Sequence, residues 1–201
     1  MDEVARPFSG SVLSEEADAA YRQCMRVAAQ LEQSQHDLIT ASMTPSRLTA
    51  TVDCVSICEN FIHSRVREIA DRHVENVNDP MLLVLYRQSK PIDSSWQSVR
   101  DTGRSYLKFD LYAISEWATF AGLIEVRNAA LHGAGSLTRQ QLKKEEEVIR
   151  KISAAGFGIH SREVVPGDAT PLDVAKRCGA MILAVDELTW STGLGLAAFS
   201  P

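Results

Sequence analysis

The longest regular feature of this sequence is a stripe of apolar residues between positions 48 and 74. Its members recur mostly at three- and four-residue steps, and the charged side chains of this stretch, Arg65 among them, lie mostly between them. The apolar members are Leu48, Val52, Val55, Phe61, Ile62, Val66, Ile69 and Val74. This period is typical of an amphipathic α-helix that buries one side. The stripe therefore predicts a long helix, which ends at the turn-forming residues 76–80.

Helical signals continue on both sides of this stripe. Ser14 is a candidate N-cap for a first helix with an apolar face that extends to Ile39. Residues 81–86 form a short apolar segment that predicts another helical piece. Asp93 is a candidate cap for a helix that contains Trp96.

The last part of the chain adds two helices and a possible extended segment. Thr138 is a candidate N-cap for a helix over residues 139–155, and a final helix is expected from Pro171 to Trp190. Between them, residues 157–165 predict one strand or a small β-hairpin. Together these signals predict an all-α protein with a single helical bundle.

No internal repeat or long linker divides the chain, so we expect one domain. The prediction is a flexible arm over residues 1–13, a helical domain over 14–192 and a tail over 193–201. Within the domain, residues 47–155 are the expected core, and residues 156–192 are an extension that contains the extended segment and the last helix.

Composition indicates an ordinary globular protein. Hydrophobic residues make up 45% and charged residues 23% of the 201 positions. The first seven residues lack the apolar core of a signal peptide, and we expect a cytoplasmic protein with no membrane partner. The net charge of −5 argues against broad coating of nucleic acid, but it allows a nuclease with a small, locally positive cleft.

The four cysteines do not follow the spacing of a zinc site. They are Cys24, Cys54, Cys58 and Cys178. Cys54 and Cys58 share one helix face, so a two-thiolate metal fragment is an alternative, but reduced core thiols are the prediction. Because the chain also lacks a glycine-rich phosphate loop, a dinucleotide fingerprint and a zinc-protease motif, we expect neither a metal nor a cofactor.

A second apolar run, over residues 112–126, leads into a cluster of polar residues that are candidate catalytic groups. The run has helical periodicity, and the cluster that follows is Arg127-Asn128-x-x-x-His132. Asn128 and His132 are four residues apart and project side by side. Arg127 lies about 100° around the helix from Asn128. Gly133 is expected to end this helix in the left-handed conformation.

The arrangement Arg127-Asn128-x-x-x-His132 resembles the signature of the HEPN superfamily of small helical domains. Within it, the chain resembles the bacterial stand-alone domains of the RiboL-PSP and toxin-like branch. The resemblance implies a HEPN-like helical bundle and a homodimer whose two motif helices form one composite active site. It also implies a metal-independent endoribonuclease of toxin or antiviral-defence type, with an antitoxin or defence-system protein as a further candidate partner. The resemblance is concentrated between about Thr51 and Thr138.

The residue types fit RNA cleavage by attack of the 2′-hydroxyl on the adjacent phosphorus, which leaves a 2′,3′-cyclic phosphate and a 5′-hydroxyl. This reaction needs a base, an acid and positive charge on the phosphorane oxygens. His132 suits the proton transfers near neutral pH, and Arg127 suits the phosphate. Asn128 is the candidate positioner. Glu59 is a weaker candidate, because related domains often carry an acid there that holds the arginine or the histidine.

Plainer explanations exist for each of these residues. Arg127 can pair with Glu125 or another acid, His132 can cap the last helical carbonyls, and Glu59 can be a surface carboxylate. The alternative function is a non-catalytic HEPN module that binds a nucleotide or a protein partner. The other histidines are predicted on polar helix faces or in the extended segment, and they are His36, His63, His73 and His160.

Overall fold

The structure is a computed structural model, and it describes residues 14–37, 44–77, 79–89 and 95–191. These residues form eight α-helices and one antiparallel hairpin, which confirms the predicted all-α class with a hairpin near 157–165. The helices are α1 (Glu15–Asp37), α2 (Thr44–Val77), α3 (Pro80–Ser89), α4 (Trp96–Thr102), α5 (Trp117–His132), α6 (Arg139–Leu142), α7 (Glu145–Ala154) and α8 (Pro171–Ser191). The strands are β1 (Phe157–His160) and β2 (Glu163–Pro166).

The long apolar stripe of α2 lies at the centre of the core. Ile62, Val66 and Ile69 are almost fully buried, and they belong to one cluster that also contains Phe120 of α5 and Met181 of α8. Because α8 contributes to this cluster, the segment predicted as an extension is part of the main core. The predicted arm and tail, residues 1–13 and 193–201, and the candidate cap Asp93 lie outside the described residues.

Two helix boundaries differ from the prediction. The helix expected from residue 112 begins at Trp117, because Asp110 caps a short 3-10 turn over Leu111–Ala113 instead. The helix expected over residues 139–155 is divided into α6 and α7 at Lys143 and Lys144. The cap at Thr138 is confirmed: its hydroxyl accepts from the Gln141 N–H, and the Gln141 side chain accepts from the Thr138 N–H.

The four cysteines are free and fully buried, as predicted for core thiols. Cys24 and Cys54 donate to each other's backbone carbonyls where α1 crosses α2, and Cys58 donates to the carbonyl of Cys178 in α8. Burial raises the pKa of the Cys58 and Cys178 thiols well above the ordinary value, so these side chains remain protonated.

A buried carboxylate connects the two ends of the described chain. Asp186 of α8 is fully buried and accepts from the backbone N–H of Ser14 at 2.9 Å and from its hydroxyl at 2.8 Å. Arg65 of α2 places its Nε 3.5 Å from the same carboxylate. Arg65 is one of the charged residues that lie between the apolar residues of the stripe, and the structure buries it. This network joins α1, α2 and α8.

The turn before α5 is held by an ion pair whose pH dependence is testable. Arg100 donates to both oxygens of Asp110 at 2.8 and 2.9 Å, and the Tyr112 N–H donates to the same carboxylate. These bonds lower the pKa of Asp110 to about 2, and the hydrogen bond from Arg100 has the largest effect. A carboxyl whose pKa is lowered on folding stabilises the folded state above its ordinary pKa, and this contribution is lost as the pH falls toward 2.

We therefore expect the Asp110 carboxyl carbon to titrate in NMR with a midpoint near pH 2. In Arg100→Gln the charged partner is gone, so the midpoint should rise toward the ordinary value of 3.8. A midpoint that Arg100→Gln leaves unchanged would contradict the assigned cause.

Candidate active site

The motif lies where α5 packs against α2. Glu59 of α2 faces Arg127 of α5, and one turn further along α2 the His63 ring packs edge-on against Trp96 at 5.0 Å. Trp96 in turn packs against Phe120, which lies nearer the start of α5. The residue numbers rise on α2 while they fall on α5, so the two helices run antiparallel.

Arg127 is held from two sides. Its Nη2 lies 3.2 Å from the Glu59 carboxylate, and its Nη1 donates to the Asn128 side-chain oxygen at 3.2 Å. Nε is buried and has no hydrogen-bond partner among the described residues. Each terminal nitrogen retains a second hydrogen, and 23% of the side chain is exposed. The guanidinium is thus fixed in place, and its terminal nitrogens keep hydrogens that could bind an anionic oxygen.

Asn128 and His132 lie on the outer face of α5, together with Glu125. We call this surface, defined by these three residues, the motif face. Asn128 is half-buried, whereas His132 is exposed and makes no hydrogen bond or ion pair within the described residues. His132 lies one helical turn beyond Asn128 and on the same side. The structure therefore brings Glu59, Arg127 and Asn128 into contact and leaves His132 open beside them.

Glu125 does not pair with Arg127. Its carboxylate and its backbone carbonyl both accept from the Gln141 amide of α6 at 2.8 Å. Gln141 is buried, so this contact fixes α6 along one edge of the motif face. Helix α2, with Glu59, borders the other edge.

The turn after His132 is tight and requires glycine at one position. A Cβ atom on Gly133 would lie 1.8 Å from the carbonyl oxygen of Ser136, so no larger residue fits there. The expectation of a left-handed Gly133 is wrong, since its φ is −115°. The left-handed residues are Ala134, with φ 50°, and Gly135, with φ 93°. The reversal therefore occurs one residue later than a simple glycine cap predicts.

An open apolar groove of about 420 Å³ adjoins this turn on the α2 side. Its walls include Leu48 and Val52 of α2 and Leu131 and Ala134 beside the motif. Leu131, directly before His132, is 48% exposed. The motif therefore lies at a surface that combines polar groups on α5 with an apolar border.

The other predicted histidines are not part of this cluster. His63 packs on Trp96, so its assignment to a polar helix face is wrong. His73 is half-buried further along α2, His160 is exposed on β1, and the side chain of His36 lies outside the described residues. Sequence reasoning missed Gln141 as a partner of the motif helix, because only the fold brings α6 against Glu125.

The comparisons with known proteins return nothing: no family model, no curated protein and no solved structure matches this chain. Within the described residues, no three His, Cys, Asp or Glu side chains are grouped as metal ligands, and no helix is long and apolar enough to cross a membrane.

Proposed function

We propose that this protein is a metal-independent endoribonuclease of the toxin or antiviral-defence type, which cleaves RNA at a composite site of a homodimer. The observation that carries the proposal is the fixed guanidinium of Arg127, held by Glu59 and Asn128 beside the exposed His132. A positioned cation suits the charge that develops on the phosphorane oxygens, and an accessible imidazole suits one of the two proton transfers of cleavage through the 2′-hydroxyl.

Each residue has a distinct role in this reaction. The free hydrogens of the Arg127 guanidinium bind the non-bridging phosphate oxygens, whose negative charge grows in the transition state. His132 transfers protons to or from the reacting oxygens. Glu59 and Asn128 are positioning residues, because they act on Arg127 rather than on the RNA.

The number of proton transfers supports the proposed homodimer. The 2′-oxygen loses a proton and the 5′-oxygen gains one, while each motif supplies one exposed histidine. Two motif faces that meet around a two-fold axis supply both histidines and both arginines to one phosphate. The open surface around His132 allows such an approach.

The proposal is tested with purified full-length protein and single-stranded RNA in the presence of EDTA. We expect cleavage products with 2′,3′-cyclic phosphate and 5′-hydroxyl ends. RNA with a single 2′-deoxy nucleotide at the cleaved position should resist cleavage there, because the attacking hydroxyl is missing. Cleavage that persists at the deoxy position, or no cleavage of any RNA by the folded protein, would contradict the proposal.

A second candidate is a non-catalytic module that binds a nucleotide or a protein partner. The observation that favours it is the ion pair itself: Glu59 compensates the charge of Arg127, in a chain whose net charge is already −5. Binding of a nucleotide without cleavage of RNA in the same assay would select this alternative.

A further inference from the structure

The hairpin turn between β1 and β2 lies beside the motif. The Val164 N–H donates to the carbonyl of Gly135 at 2.8 Å, and the Leu137 N–H donates to the carbonyl of Arg162 at 2.9 Å. Ser136 forms an antiparallel bridge with Glu163 between these bonds. Residues 135–137, which follow the motif helix, therefore pair with the hairpin through one isolated bridge and two flanking backbone hydrogen bonds.

These pairings bring Arg162 close to His132 in space. The Ser136 carbonyl packs on Gly133, directly after the histidine, and Ser136 pairs with the residue after Arg162. Ser136 thus lies between Gly133 and the residue after Arg162, and the bridge from Ser136 to the hairpin spans one strand spacing of about 5 Å. A long, flexible arginine side chain can extend over much of that distance.

The Arg162 side chain is available for a ligand. It is 66% exposed, and its one ion-pair contact among the described residues is a distance of 4.0 Å to Glu145. Glu145 begins α7, directly after the α6 segment whose Gln141 contacts the motif face. Arg162 therefore lies on the α6 and α7 side of the motif face, whereas Arg127 borders α2.

The backbone at this turn is strained. Ser161 and Arg162 have φ values of 49° and 70°, in the left-handed region where two-residue hairpin turns usually place Asn and Gly. Non-glycine residues in this region are costly in free energy, and such residues cluster at functional sites.

We propose that Arg162 binds a phosphate of the RNA substrate next to the one that is cleaved, and that it positions the strand across the motif face. This inference rests on the proposed nuclease function. Arg162 would give the acidic protein a second cationic contact for RNA. It lies 30 positions after His132 in the sequence, but the backbone pairing brings it beside the motif in the fold.

The test measures binding of a short, fluorescein-labelled 2′-O-methyl RNA, which keeps its phosphates but cannot be cleaved. Arg162→Gln should weaken binding about fivefold at about 0.1 M salt and reduce the salt slope by about 0.7, the value for one lost contact to a single strand. With cleavable RNA, the same variant should raise KM and leave kcat unchanged.

Two further variants separate RNA binding from a structural role. Arg162→Gly relieves the backbone strain, so it should raise the melting temperature while it weakens RNA binding as much as Arg162→Gln. Arg104→Gln is the matched control, because Arg104 is 59% exposed, also lies 4.0 Å from a carboxylate and precedes α5 far from the motif. It should leave RNA binding unchanged.

The outcomes distinguish this inference from the proposed function. Cleavage by the wild type with equal salt slopes for wild type and Arg162→Gln would overturn the role of Arg162 and leave the nuclease intact. A wild type that neither binds nor cleaves RNA would overturn both.

Discussion

Replacement of His132 by alanine is expected to slow RNA cleavage by about 10²–10⁴-fold, the usual contribution of general acid–base catalysis. The fold should remain intact, because His132 is exposed and forms no hydrogen bond or ion pair within the described residues. The measurement is the initial rate of cleavage of single-stranded RNA in EDTA, together with the melting temperature. His73→Ala is the control, since His73 lies on α2 away from the motif face.

The same variant tests whether the active site is shared between two subunits. Subunits of wild type and His132→Ala are mixed in equal amounts and allowed to exchange at random. If both histidines of a dimer are required, only the wild-type homodimers are active, and the mixture should retain roughly one quarter of the activity of the same amount of wild type, rather than half. Half of the activity would mean that each subunit cleaves alone. A rate for the pure variant within a factor of two of the wild type would remove His132 from the mechanism.

Local chemistry explains why much of the helical framework was predictable. The stripe over residues 48–74, the cap at Thr138 and the proline at the start of α8 each act within a few residues of the chain. The stripe acts through its periodicity, the Thr138 cap through a hydroxyl near free N–H groups, and the proline through its fixed φ. All three can be recognised in the sequence without the rest of the fold. The same reasoning identified the cluster of Arg127, Asn128 and His132.

The contacts that define the candidate site were less accessible to sequence reasoning. Glu59 was a candidate only through the family resemblance, and its contact with Arg127 depends on how α5 crosses α2. Arg162 becomes a neighbour of the motif through backbone pairing between residues 135–137 and the hairpin. A side chain's residue type carries no signal of such pairing, so these residues required the structure.

Buried polar networks were the least predictable feature. Asp186 and Ser14 are 172 positions apart, and Arg65 lies on a helix whose pattern places most of its charges outward. In the sequence, Asp186 interrupts the apolar face of α8 without any visible reason. The reason appears only in the structure, where Arg65 of α2 and the N–H of Ser14 contact its carboxylate.

Replacement of Asp186 by alanine is expected to have the largest effect on stability, a loss of about 3–5 kcal/mol in the free energy of unfolding. The substitution removes the fully buried partner of Arg65, although Glu68 remains 3.4 Å from its Nη1, and it removes both hydrogen bonds to Ser14. Guanidinium unfolding followed by circular dichroism measures the loss. Glu187→Ala, at the exposed next position, should change stability by no more than about 0.5 kcal/mol.

A double variant separates the cost of removing one partner from the net contribution of the Asp186–Arg65 ion pair to the free energy of unfolding. Breaking a buried ion pair is costly mainly because the remaining buried charge loses compensation, here one of the two carboxylates that lie near Arg65, whereas replacing both partners with apolar residues of similar size is often neutral. Asp186→Leu combined with Arg65→Met should therefore recover most of the stability that Asp186→Ala loses. A double variant as unstable as Asp186→Ala would instead assign the loss to the two hydrogen bonds of Ser14, which tie the start of α1 to α8.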